Sequence, residues 1–182
     1  MRKAGLAACV AAIHRKEPMA KIVVFAPIES STFANAAAAV QALDMPSEVI
    51  HPSSDDQDRG ASVILEFNEP PIEETYRTKC RVLLLSFQDN AGANLQDGSH
   101  HVIFYAPIVG AMRDTEKIVA AVGKEQQSIG RLRRPRRSAL TEPPVTVHRL
   151  VLHGPNDEPT IDVKIKERNE TQLLIEQAGN TA

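Results

Sequence analysis

Short apolar runs, separated by polar and breaker-rich stretches, recur along the chain. Lys21-Ile-Val-Val-Phe25, Cys80-Arg-Val-Leu-Leu-Leu-Ser86 and His101-Val-Ile-Phe-Tyr105 are continuous rather than alternating. Such runs predict strands covered on both faces, as in a parallel sheet. Glu48 to His51 predicts a shorter strand. Val145 to Leu152 alternates, with Val145, Val147 and Arg149 on one side and Thr146, His148 and Leu150 on the other. Helical stretches lie between these runs. Ala4 to His14 is Ala-rich and ends before Pro18. Ser30-Ser31-Thr32 offers caps for a helix to about Leu43. Arg59 to Phe67 places Val63, Ile64 and Phe67 on one side. Thr115 to about Arg133 is helical and is stopped by Pro135. Asp162 to Gln177 is a charged helix, with Thr160 as a cap. This alternation predicts an α/β fold with a mainly parallel sheet between two helical layers.

Composition adds little to this reading. At 182 residues and 42% hydrophobic, the chain is large enough for one domain with its own core. Two cysteines, Cys9 and Cys80, form no disulfide framework and no zinc spacing. No apolar run has the length of a membrane span. Met1-Arg2-Lys3 before Leu6 to Ile13 imitates a signal peptide, but the stretch is short and Ala-rich, so a helix is the simpler reading.

Charge changes the picture locally. The net charge is -2, yet Lys124, Arg131, Arg133, Arg134, Arg136 and Arg137 crowd one segment opposed only by Glu125. Any contact with phosphate or nucleic acid would therefore be local to this segment. On charge alone, a solvated helix end or a nuclear-localisation run explains the cluster as well. The order of residues is more telling. Gln127-Ser-Ile-Gly130-Arg131-Leu-Arg-Arg134 spaces a glutamine, a glycine and two arginines so that the arginines would share a helical face. Arginine stays charged and grips phosphate with two parallel N–H groups, and Gly130 permits close approach.

This segment resembles motif VI of superfamily 2 helicases in its Snf2 form. Ala91-Gly92-Ala-Asn94-Leu95 resembles motif V, and Lys21 to Pro27 resembles motif IV. Arg59 with Phe67 resembles the family's Arg…Phe helix. His148-Arg-Leu-Val-Leu152 followed by Thr160-Ile-Asp-Val163 resembles its closing strand and Thr-Ile-Asp/Glu helix start. The matches run in order from about residue 20 to residue 165.

The resemblance implies a three-layer α/β/α RecA-like lobe of the P-loop NTPase type over residues 19–165, with a leading helix at 1–18 and a charged helix and tail at 166–182. It implies the C-terminal lobe of an ATP-dependent DNA translocase of the chromatin-remodelling type, located in the nucleus. Gln127, Gly130 and Gly92 would lie near the nucleotide, and Asn94 near the nucleotide or the DNA backbone. Arg131 and Arg134 would contact its phosphates, Arg134 as an arginine finger. By their local charge, and not by the resemblance, Arg133, Arg136 and Arg137 are expected to contact double-stranded DNA.

Several features depart from that pattern. Pro135, Arg136 and Arg137 stand where the family has an apolar residue, Gly and Gln. The stretch from Pro107 to Gln127 is long, and His153 to Pro159 is inserted. The sequence contains no Gly-x-x-x-x-Gly-Lys-Ser/Thr loop and no Asp-Glu-x-His box. ATP with Mg²⁺ is therefore expected to be held mainly by an N-terminal lobe, in cis or in trans. Without that lobe the chain is expected to hydrolyse no ATP. A non-catalytic DNA- or protein-binding module is the alternative expectation.

Other candidates carry less. His100-His101 point to opposite faces of a strand, and no nearby pattern completes a metal site. Asp55-Asp56 with Asp58 lacks the Gly and Glu of a calcium loop. Ser86 and Ser128 have no triad context.

Overall fold

The computed structural model describes residues 1–28, 31–51, 57–70, 72, 78–87, 94–95, 98–108, 115–132 and 144–179. Five strands form one sheet: β1 (Ile22–Ala26), β2 (Ser47–Val49), β3 (Val82–Ser86), β4 (His101–Phe104) and β5 (Thr146–Arg149). Their order is β2-β3-β1-β4-β5, and every pairing is parallel. Among the described residues five α-helices accompany them: α1 (Arg2–Lys16), α2 (Thr32–Gln41), α3 (Gln57–Asn68), α4 (Thr115–Gly130) and α5 (Ile161–Gly179). No described helix is long and apolar enough to cross a membrane.

The three central strands are buried throughout, which explains their unbroken apolar runs. Successive side chains leave opposite faces of the sheet. Ile22, Val24, Val82, Leu84 and Ile103 meet Leu6, Val10 and Ile13 of α1 and Phe33, Ala36 and Val40 of α2. Val23, Phe25, Leu83, Leu85, Val102 and Phe104 meet Phe67 of α3 and Ala121 of α4. The direction of travel across the sheet explains this division. The chain passes β3 going from β1 to β2, then reverses towards β3, β4 and β5. Right-handed crossovers therefore put α2 on one face and α3 and α4 on the other.

Three expected boundaries move. β5 ends at Arg149, because its ladder partner β4 ends at Phe104. α4 ends at Gly130, before the expected Arg133, and Arg131 and Leu132 continue as a turn. Thr160 was expected as an N-cap, but its hydroxyl donates to the Leu152 carbonyl. The Asp162 carboxylate accepts the Leu152 N–H at 3.1 Å and pairs with Arg2 of α1. The Thr-Ile-Asp sequence thus grips both backbone groups of Leu152 and fastens α5 to α1. At α2, Ser31 makes no side-chain cap bond, and Asn35 Nδ2 donates to its hydroxyl instead at 3.3 Å.

Candidate functional site at the amino edge of the sheet

The last turn of α4 is sorted by burial. Ser128 and Leu132 are buried, Ile129 packs on the core, and Gln127 and Gly130 face outward with Arg131 half-buried beside them. Positions i, i+3 and i+4 share a helical face. Gln127, Gly130 and Arg131 therefore form one outward stripe anchored by Leu132. Apart from its chain neighbours and its own helix backbone, no atom of the described residues lies within 4 Å of where a Gly130 side chain would begin, so the stripe is open to approach. The Arg131 Nε is buried without a hydrogen-bond partner. A cation at a helix carboxyl end complements the helix dipole.

The motif V-like residues arrive beside this stripe. Leu95 N–H donates to the Arg131 carbonyl at 3.2 Å. Asn68 Nδ2, at the end of α3, donates to the Asn94 carbonyl at 2.5 Å. Both α3 and α4 end where the next strand begins, so these contacts lie at the amino edge of the sheet. The general expectation for such a loop is the carboxyl edge, where α/β sheets commonly bind ligands. The chain does leave β3 at the carboxyl edge, but by Asn94 it has reached the opposite one. Gly98 then turns it into β4. A side chain there would begin 2.6 Å from the Phe67 ring, so glycine is required for this close approach.

Arg134, Gly92, Arg133, Arg136 and Arg137 lie outside the described residues. α4 stops at Gly130, so Arg131 lies in the turn that follows it.

Sequence reasoning missed two buried charges that shape this edge and its neighbour. Lys21 is 5% exposed, and its ammonium donates to the carbonyls of Phe67 at 2.6 Å and Glu69 at 2.7 Å. It thereby satisfies carbonyls at the end of α3, and it lies 5.3 Å from the Phe67 ring centre. Burial pushes its pKa down. Its signal in sequence was only a lysine preceding a buried strand.

Glu125 is the other buried charge, at 6% exposure. Arg149 of β5 donates to it at 3.0 Å and lies 5.3 Å from the Phe104 ring centre. Burial pushes the Glu125 carboxyl up, against the pull of Arg149. The folded protein therefore holds this proton more tightly than the unfolded chain does. Stability is expected to fall as pH rises from the ordinary Glu range through the raised folded value. Urea midpoints across that window should show this limb in the wild type and a flatter one in Glu125→Gln. An unchanged slope in the variant would assign the pH dependence to other groups.

The layers, the all-parallel sheet and its strand order define a three-layer α/β/α fold of the RecA-like type. Two solved structures share the fold. One is the C-terminal part of the Fun30 ATPase domain, with a TM-score of 0.60 and 16% identity, covering 89% of this chain and 44% of that one. The other is the Hef helicase domain of Pyrococcus furiosus, with a TM-score of 0.53 and 16% identity, covering 86% of this chain and 27% of that one. The chain thus spans less than half the length of either. No protein-family model matches it, and no curated protein matches it in sequence.

Proposed function

We propose that the chain is the C-terminal lobe of an ATP-driven DNA translocase of the Snf2 type, acting with an N-terminal lobe that holds most of the nucleotide and Mg²⁺. The observation that carries this reading is the Leu95–Arg131 hydrogen bond. It joins the motif V-like and motif VI-like segments at one edge of a helicase-type lobe. The open surface at Gly130 beside the half-exposed Arg131 fits a phosphate presented by another surface.

In this reading Arg131 and Arg134 neutralise phosphate charge, Arg134 as the arginine finger. Gln127, Gly130, Gly92 and Asn94 lie near the nucleotide. Bound ATP supplies the energy of hydrolysis, and this lobe supplies cationic contacts that close the cleft between lobes. Arg133, Arg136 and Arg137 contribute to the track for double-stranded DNA, and the nucleus is the expected place of action.

Salt titration of duplex DNA binding tests the track. Three arginines neutralising about three phosphates should give a slope of about -2.7 in log K against log salt. Replacing all three with Ala should remove most of that slope. A flat wild-type dependence would exclude a DNA track on this lobe and favour a protein-binding module.

A further inference from the structure

The last turn of α1 meets the amino edge of β4 and β5 through histidines. His101 of β4 and His148 of β5 stand on the sheet face that α1 covers, because His148 pairs with Ile103, whose side chain packs with Leu6, Val10 and Ile13. The His148 Nε2 lies 3.5 Å from the His101 Nδ1. On its other side, the His101 Nε2 lies 3.0 Å from a carboxylate oxygen of Glu17, the residue that follows α1. A carboxylate only accepts, so His101 donates from Nε2, and its Nδ1 accepts the His148 Nε2–H. His14, in the last turn of α1, donates from Nε2 to the Ala20 carbonyl at 2.9 Å. The His14 Nδ1 is buried and meets no hydrogen-bond partner. The cations that act on these groups are Lys16 of α1 and Arg81 ahead of β3, and His100 stands near Glu17. Cys9 of α1 packs on the same face, and burial pushes its thiol up, so it stays uncharged.

We propose that His14, His101 and His148 form an acid-released latch, which holds the end of α1 on the sheet at neutral pH and frees it in mild acid. The contacts described are those of neutral rings. One hydrogen fits between the facing nitrogens of His101 and His148, so both rings cannot be doubly protonated and keep that bond. A second proton on His14 would make Nδ1 a buried donor without an acceptor, which is costly. Added charge also meets Lys16 and Arg81, with Glu17 as the opposing carboxylate. Burial pushes the pKa values of His14 and His148 down. The Ala20 carbonyl opposes this at His14, whereas Arg81 and His101 reinforce it there and His101 and Lys16 reinforce it at His148. Both rings therefore take up a proton less readily when α1 is docked than when it is free. Docking is complete above the ordinary histidine value of about 6.5 and is lost as pH falls through it towards the lowered docked values. Opening exposes Ile13, which is buried in the docked state. This inference is independent of the translocase reading.

Amide hydrogen exchange of the full chain between about pH 7.5 and about pH 5.5, corrected for the intrinsic effect of pH, tests the latch. Protection of the last turn of α1 should fall by about tenfold or more over that range, while β1 and β3 stay protected. Glutamine can present an N–H where a histidine Nε2–H stood, but it cannot take up a proton. The double variant His14→Gln, His148→Gln should therefore keep its protection in acid. Glu17→Gln removes the opposing charge and should move the opening to higher pH. His153→Gln, at an exposed position, should change nothing. Protection independent of pH, equal loss in the wild type and the double variant, or joint loss from α1 and the central strands would each overturn the proposal. The Glu17 side chain is 58% exposed, so Glu17→Gln tests the latch even if the double variant fails to fold, and an unmoved opening there would overturn it too.

Discussion

Phe25→Ala should lower the stability of the lobe by about 3–5 kcal/mol, the range for emptying a buried aromatic site. Phe25 is fully buried in β1, the strand flanked by β3 and β4. Its ring centre lies 5.6 Å from that of Phe87 and 6.3 Å from that of Phe104, and Phe87 and Phe104 are themselves 5.3 Å apart. Removing one ring therefore unpacks two others, and rigid backbone on both sides leaves little room for collapse. A domain is typically stable by only about 5–15 kcal/mol, so this single change is expected to remove a large share. Urea unfolding of Phe25→Ala and of Leu65→Ala, whose side chain is 71% exposed, makes the comparison. Leu65→Ala should change stability by no more than about 0.5 kcal/mol. Equal effects would mean that the three rings do not form the packed centre described above.

The second large effect concerns chemistry. The purified chain should hydrolyse no measurable ATP, because its sequence has no phosphate-binding loop and no Asp-Glu box for Mg²⁺. Joined to an N-terminal lobe that supplies both, it should support turnover. Arg131→Ala or Arg134→Ala should then reduce turnover by about 10³-fold or more, the range for arginines that stabilise transferring phosphoryl groups. Arg131→Lys should recover little, since an ammonium lacks the planar fork of the guanidinium. Unfolding curves should be nearly unchanged for Arg131→Ala, because Leu132 and Ile129 anchor that turn and the Arg131 contact to Leu95 is made by backbone. Turnover by the isolated chain that disappears in Arg134→Ala would overturn the two-lobe reading.

Much of the fold was legible in the sequence because of how parallel strands are buried. Val82 to Leu85 and Val102 to Phe104 are apolar without alternation, and that is possible only with both faces covered. β5 was legible for the opposite reason. It lies at a sheet edge, and its alternation separates Val145 and Val147, which pack with Phe104, from Leu150, which packs with α1. What could not be read were partners set by sheet register and by crossovers. Glu125 and Arg149 are 24 residues apart, and nothing in local spacing joins them. His101 was considered beside His100, its neighbour in sequence, whereas the register of β4 against β5 gives it His148. The path of the motif V-like loop was hidden too. The order of motifs places Asn94 after β3 but does not say at which edge of the sheet it settles. The spacing within Gln127 to Arg134 makes Arg131 a candidate, and the structure adds the bond from the Leu95 N–H to its carbonyl.

The clasp between Arg2, Asp162 and Leu152 has a mechanical meaning. A parallel sheet pulled from opposite flanks is loaded in shear, and its edge strand β5 is the first exposed to that load. α1 and α5 are fastened to each other by Arg2 and Asp162, and α5 is fastened to the exit of β5 through Leu152. Tension entering through either helix therefore passes into the other before it reaches the ladder. α1, α5 and the exit of β5 are thus linked through one largely buried carboxylate, that of Asp162.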